Sequence, residues 1–142
     1  MKNPYGQFAS DANSEKNGIW INYDLFRVLV ARAGGANDQY MMAADRKHRA
    51  MRRQGSQGVK ALQRLSRELL VEACIKGWEV RDENGVFQEN TIQLPSGEVV
   101  EFTKKNVEAV LHALPNLADA LNAEANNEQL FLAEELQEEA GN

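Results

Sequence analysis

The feature that most constrains this chain is a pair of amphipathic segments at residues 38–54 and 59–76. In both segments apolar side chains recur every three or four residues, which predicts helices with one apolar face each. Only the short stretch QGSQG separates the two segments. Because a short break joins neighbouring helices, we predict an antiparallel helical pair that buries Met41, Ala44 and Met51 against the leucines of the second helix.

The first predicted helix carries a strongly basic face, with the stretch DRKHRAMRR at residues 45–53. Four arginines project opposite its apolar side, and we call them the arginine surface: Arg46, Arg49, Arg52 and Arg53. The chain as a whole has a net charge of -5, which argues against general nucleic-acid binding. Three roles for the arginine surface remain open: a solvated helix face, a phosphate-binding surface, or a contact with acidic protein.

The rest of the chain alternates between strand-like and helical patterns. Residues 1–36 are strand-rich, with IWINY and LFRVLVARA as strands, DANSEKNG as a polar linker, and an N-cap for the first helix at Asn37. Residues 37–76 form the helical pair, and residues 77–102 contain WEV, a DENG turn and a hairpin of TIQL and EVVEF around PSG. Residues 103–142 read as C-terminal helices. We therefore expect a single domain over 1–142, with an α+β fold of one small antiparallel sheet and four to five amphipathic helices.

The C-terminal part is predicted to begin with a helix capped by Thr103, to restart at Pro115, and to end with a helix over NEQLFLAEELQEEA. In this last helix Leu132 and Leu136 belong to an apolar stripe, whereas Phe131 falls among glutamates. An aromatic side chain on an acidic helix face is either packed against the preceding helix or kept for a partner, and both alternatives stand. Phe131, Leu132 and Leu136 join the arginine surface as the candidate partner-binding residues.

Signals for catalysis, cofactors and metals are missing from the sequence. There is no glycine-rich phosphate loop, metal-spaced His/Glu pair or nucleophile elbow. The lone Cys74 lies in an apolar run, which predicts a buried and inert thiol. His48 projects onto the apolar helix face and His112 toward solvent, so the two histidines form no constellation. We expect a protein that is not an enzyme and that binds no cofactor and no metal ion.

Charge is distributed unevenly along the chain. Residues 43–67 contain eight Lys or Arg and one acid, whereas residues 119–142 contain seven acids and no Lys or Arg. Complementary ends of this kind favour head-to-tail self-association, so a homo-oligomer is possible. No apolar run approaches the roughly 18 residues of a membrane span, and we expect a soluble protein of the cytoplasm without a membrane or nucleic-acid partner.

Three segments together resemble a known pattern: GIWINYDLFRVLVARAGGANDQY, KGWEVRDENG and EFTKKNVEAVLHALPNLADAL. Their order and spacing are similar to those of the tail assembly chaperone family of long-tailed, siphovirus-like bacteriophages. The likeness extends over most of the chain from Gly18 onward.

The resemblance implies a non-enzymatic chaperone of viral tail assembly that acts in the host cell cytoplasm. Its partners would be the phage tape measure protein, which it keeps soluble, and the tail tube protein, which it helps recruit. Such a chaperone is absent from the mature virion. Two alternatives remain: a structural virion component, such as a head–tail connector or tail terminator, and a nucleic-acid-binding regulator that uses the arginine surface.

Overall fold

The chain folds as an α+β protein, which confirms the predicted class. The computed structural model describes residues 4–55 and 58–133. The strands in chain order are β1 (Ile19–Asn22), β2 (Phe26–Val30), β3 (Ile75–Arg81), β4 (Phe87–Gln88), β5 (Thr91–Gln93) and β6 (Val99–Glu101). The α-helices are α1 (Ala12–Asn17), α2 (Asp38–Gln54), α3 (Val59–Leu69), α4 (Lys104–Ala113) and α5 (Pro115–Ala125).

The sheet has four antiparallel strands in the order β1-β2-β3-β4, and β5 and β6 form the predicted separate hairpin. A tight turn joins β1 to β2, in which Asp24 adopts a φ of 75° and its N–H donates to Asn22 Oδ1 at 2.8 Å. In β2 the alternation of side chains buries Val28 and Val30 and leaves Arg27 on the opposite face. The two predicted N-terminal strands are thus confirmed.

Asn37 caps α2 as predicted, and its side chain does more than close one helix end. Its Oδ1 accepts from the N–H of Tyr40 at 3.4 Å. Its Nδ2 donates to the carbonyl oxygens of Arg32, at 2.8 Å, and Ala73, at 2.9 Å. Because Asn37 is almost fully buried, these bonds tie the start of α2 to the segment that follows α3.

The second helix of the pair is shorter than predicted. It was expected to reach residue 76, but α3 ends at Leu69, a π-helical turn spans Leu70–Cys74, and β3 begins at Ile75. The turn is almost entirely buried, and its last residue is followed directly by pairing between Ile75 and Val30. Sheet pairing therefore overrides the helical period in this apolar stretch.

The contact between α2 and α3 differs in detail from the predicted one. Ala43 is the fully buried residue of α2, packed with Leu65 and Leu69, and Met51 lies half-buried beside them. Met41 is 53% exposed, so its predicted burial was wrong. His48 is also exposed instead of lying in the core. The side of α2 that faces α3 therefore contains Ala43 and Met51 but not Met41.

The main core lies between the sheet and the helices α4 and α5. Its largest fully buried side chains come from the π-helical turn, β2, β5 and both helices: Leu70, Val28, Val30, Ile92, Val107, Val110, Leu111 and Leu121. Trp78 packs in the same core and stacks on Phe26 with ring centroids 5.6 Å apart. The predicted cap of α4 is confirmed, since Thr103 Oγ1 accepts from the N–H of Asn106 at 3.1 Å.

Two N- and C-terminal predictions were wrong. The polar stretch expected to be a linker contains α1, which is held by an ion pair between the buried Glu15 and Arg32. The predicted last helix does not begin at Asn126 or Asn127: a 3₁₀ turn spans Glu128–Phe131, Leu132 forms an isolated antiparallel bridge with Ser10, and α-helical backbone is found only at Ala133 among the described residues of this stretch. The remainder of that predicted helix, from residue 134, lies outside the described residues.

Candidate protein-interaction surfaces

The arginine surface lies on the exposed side of α2, as predicted. Arg46 forms an ion pair with Glu72, and Arg49 forms one with Asp45, one turn earlier in the same helix. Arg52 and Arg53 lie in the last turn of α2, where positive charge is favourable next to the helix C-terminus. Half of this surface is therefore already paired within the chain.

Glu72 has a structural role in this arrangement because it joins α2 to the π-helical turn that follows α3. Its carboxylate also lies 3.4 Å from Lys47 Nζ, which in turn lies 3.3 Å from Glu68. Partial burial alone would raise the pKa of Glu72, but the hydrogen bond and charge of Arg46, together with Lys47, outweigh it and hold that pKa below its usual value. Arg46 therefore has a structural role, because its ion pair joins α2 to the π-helical turn.

The other predicted partner-binding residues are not brought together with the arginines as one exposed surface. Phe131 has no exposed surface at all, so its side chain is packed inside the protein. Its carbonyl accepts from the N–H of Asp11 at 2.8 Å, so the segment is anchored against the N-terminal part. Leu132 is half-buried beside Ser10. Leu136 lies outside the described residues.

Aromatic and cationic side chains share the outer face of the sheet. Arg27 lies between the rings of Trp20 and Phe87, with its guanidinium carbon 4.4 Å from each ring centroid, and Arg81 lies 4.0 Å from that of Phe87. Arg27 Nε also donates to Glu79 at 2.7 Å. These groups contact one another across all four strands of the sheet, so we infer that they stabilise the strand pairing.

A larger feature that the sequence did not reveal is a groove of about 790 Å³ between α3 and α4. Its floor is apolar and includes Val71, Ala109 and Leu111. Four cationic side chains line it: Lys60, Arg64 and Arg67 from α3 and Lys105 from α4. His112 also faces it, and the acids Glu68 and Glu108 are the negative side chains of its lining. We call this site the basic groove.

The cations of the basic groove differ from the arginine surface in their pairing. In the part of the chain that the structure describes, none of the four forms an ion pair with a carboxylate. Of the two acids in the lining, Glu68 is already engaged by Lys47. An apolar floor with unpaired cations at its rim suits an apolar group flanked by negative charge.

Part of the signal for this groove is present in the sequence. Lys60, Arg64 and Arg67 are spaced by four and three residues, which places them along one side of a helix. Lys105 and His112 are seven residues apart and share a side of α4 in the same way. Only the tertiary structure shows that the two rows line a common space.

The described part of the chain contains neither a metal centre nor a membrane span. Within residues 4–55 and 58–133, no group of three or more His, Cys, Asp or Glu side chains is placed to hold a metal ion. The helices in those residues include none that is long and apolar enough to cross a bilayer. Burial raises the pKa of the Cys74 thiol to about 12, so it stays protonated, and its predicted burial is confirmed.

The comparison with protein families assigns the chain to a class of phage origin. Residues 35–142 match the family model described as YdaY prophage protein. Because this match includes most of the chain, the chain belongs to the YdaY prophage protein family. No curated protein matches the chain, and no solved structure does.

Proposed function

We propose that the chain is a non-enzymatic assembly chaperone of a phage tail. In this proposal it binds the tape measure protein, keeps it soluble, and helps recruit tail tube subunits in the host cytoplasm. Membership of a prophage family supports the phage setting. The resemblance of the three sequence segments to tail assembly chaperones supports the tail-specific role.

The observation that carries the proposal is the basic groove. A tape measure protein is a long helical rod with apolar stripes, and an isolated rod of that kind needs many shielding contacts. A groove with an apolar floor accepts the apolar side of such a helix, and unpaired cations at its rim engage acids beside that stripe. Several copies along one rod would add through effective concentration, so each contact can be weak.

The groove is a better candidate for this contact than Arg46 and Arg49 of the arginine surface, and unlike Arg52 and Arg53 it combines its cations with apolar lining residues. Arg46 and Arg49 would have to leave their ion pairs with Glu72 and Asp45 to bind a partner. Arg64 and Arg67 have no such internal partner among the described residues. Binding at the groove therefore gains new ion pairs without the loss of existing ones.

The proposal is tested by co-expression with the tape measure protein of the same prophage, followed by co-purification. The double substitution Arg64→Glu and Arg67→Glu should weaken recovery of the complex by about tenfold, as expected for a loss of roughly 1–2 kcal/mol. The matched control is Arg52→Glu with Arg53→Glu, which reverses the same charge outside the groove. Thermal unfolding of both variants should stay close to that of the parent.

Other outcomes would favour the two alternatives. Detection of the chain in purified particles would identify a structural virion component. Retention on DNA at near-physiological salt, weakened when Arg49 and Arg52 of the arginine surface are changed to Glu, would identify a nucleic-acid-binding regulator. The failure of the parent chain to recover the tape measure protein would overturn the chaperone proposal.

A further inference from the structure

We propose that the acidic segment at residues 134–142 of this chain is a ligand of the basic groove. Binding of the segment does not depend on the proposed function. One consequence does: the segment would compete with the tape measure protein for the same groove.

The groove is complementary to a ligand that has negative charge on both sides of an apolar group. Its cations come from both walls, with Arg64 and Arg67 on α3 and Lys105 on α4, while Leu111 forms part of the floor. Cations that face each other across a groove repel unless an anion lies between them. An occupant with a single row of acids would reach one wall alone.

The sequence EELQEEAGN at 134–142 has this arrangement of side chains. Leu136 is preceded by Glu134 and Glu135 and followed by Glu138 and Glu139, and the segment contains no Lys or Arg. Four carboxylates can therefore be set against the four unpaired cations, while Leu136 is the one large apolar side chain available for the floor. This gives Leu136, predicted from the sequence to bind a partner, a specific contact.

The described part of the chain leads up to this segment from an anchored position. The N–H of Ala133 donates to the carbonyl of Ala9 at 3.0 Å, and Leu132 pairs with Ser10. Nine residues span at most about 30 Å when extended. The segment can reach a groove on its own copy within that radius, and the groove of a second copy otherwise.

A zero-length carbodiimide cross-linker tests the proposal on the full chain alone, because it joins carboxylates to lysine amines only when they touch. We expect Lys60 and Lys105 to be coupled to glutamates of residues 134–139, as identified by mass spectrometry. Lys16, which is exposed on α1 away from the groove, is the internal control. Mixing light and isotopically heavy protein shows whether the link forms within one copy or between two, and either result supports the proposal.

Two variants make the result specific. Arg64→Glu with Arg67→Glu leaves both lysines in place but should lower the yield of these cross-links about fivefold or more, since it removes the attraction for the segment. Leu136→Ser should lower the yield as well, whereas Arg52→Glu with Arg53→Glu should not. Equal coupling of the glutamates to Lys16 and to the groove lysines, or a yield unchanged in the Arg64/Arg67 variant, would overturn the proposal.

Partner binding gives a separate readout that rests on the proposed function. Replacing Glu134, Glu135, Glu138 and Glu139 by glutamine should strengthen recovery of the tape measure protein, because the competitor loses its charge. If the cross-links form but no tape measure protein is recovered, the segment binds the groove and the chaperone function fails. If the tape measure protein is recovered but no cross-links form, the chaperone function stands and the binding of the segment to the groove is refuted.

Discussion

The substitution Phe131→Ser distinguishes a core residue from a partner-binding residue. From the sequence, Phe131 could lie on an exposed helix face, where serine would spare the fold. In the structure its side chain is fully buried. Its own carbonyl accepts from the N–H of Asp11, and the N–H of Ala133 donates to the carbonyl of Ala9. We therefore expect the substitution to act on folding and not on partner affinity alone.

The loss in free energy of unfolding can be estimated from the buried phenyl ring that the substitution removes. Truncation of a buried phenylalanine costs about 3–5 kcal/mol through lost transfer free energy and the cavity that remains. A serine hydroxyl without a partner in that cavity adds about 1 kcal/mol or more. A chain of this size unfolds with roughly 5–15 kcal/mol, so the change consumes a large part of the total stability. At about 3–4 °C per kcal/mol, Tm should fall by roughly 10–20 °C.

Thermal and urea unfolding, followed by circular dichroism, measure this effect. The matched control is Phe8→Ser, because Phe8 is 74% exposed and undergoes the same chemical change. The control should shift the free energy of unfolding by less than about 0.5 kcal/mol. Similar stability for Phe131→Ser and Phe8→Ser would refute the assignment of Phe131 to the core.

Substitutions at Asn37, Gly35 and Gly55, and the chemistry of Cys74, test other parts of the fold. Asn37→Asp keeps the shape of the cap but sets a carboxylate against two main-chain carbonyls, and should lower the free energy of unfolding by about 2–4 kcal/mol in urea titrations. Gly35→Ala should cost more than Gly55→Ala: both residues have positive φ, but a Cβ at Gly35 would lie 2.1 Å from Glu15 Oε2, whereas nothing lies within 4 Å at Gly55. The Cys74 thiol, with its pKa at about 12, should resist iodoacetamide at pH 8 in the folded protein and react fully in urea; equal rates would contradict its burial. Because the pKa of Cys74 is raised on folding, the free energy of unfolding should be unaffected by this group below about pH 8.5 and should decrease as pH rises toward 12.

Local chemistry accounts for the parts of the fold that could be predicted from sequence. The period of two in β2, the side-chain caps at Asn37 and Thr103, and the restart at Pro115 each depend on a few neighbouring residues. Such signals are present in the sequence whatever the rest of the chain does. The same holds for the exposed position of the arginine surface, which follows from the helical period alone.

The wrong predictions concern elements whose conformation depends on distant residues. Helix α1 has six residues and needs the pairing of Glu15 with Arg32 on the next segment. The end of the second predicted helix is drawn into the sheet by pairing between Ile75 and Val30, 45 positions apart in the sequence. Phe131 continues an acidic helical pattern in the sequence, yet its burial is set by contacts with the N-terminal part. Tertiary contacts override local propensity in each case.

The basic groove belongs to this second group, and its charge has no evident use in folding. Ion pairs hold α2 against α3 through Lys47 and Arg46, so the chain does place cations where they stabilise the fold. The groove cations Arg64, Arg67 and Lys105 are different. They line one groove, where their like charges repel one another and lower the free energy of unfolding. In a protein with a net charge of -5, the electrostatic free energy would be lower if these cations lay next to some of its many acids. Their concentration beside the apolar residues of the groove is the reason for proposing an acidic ligand there, either a part of the same chain or a partner.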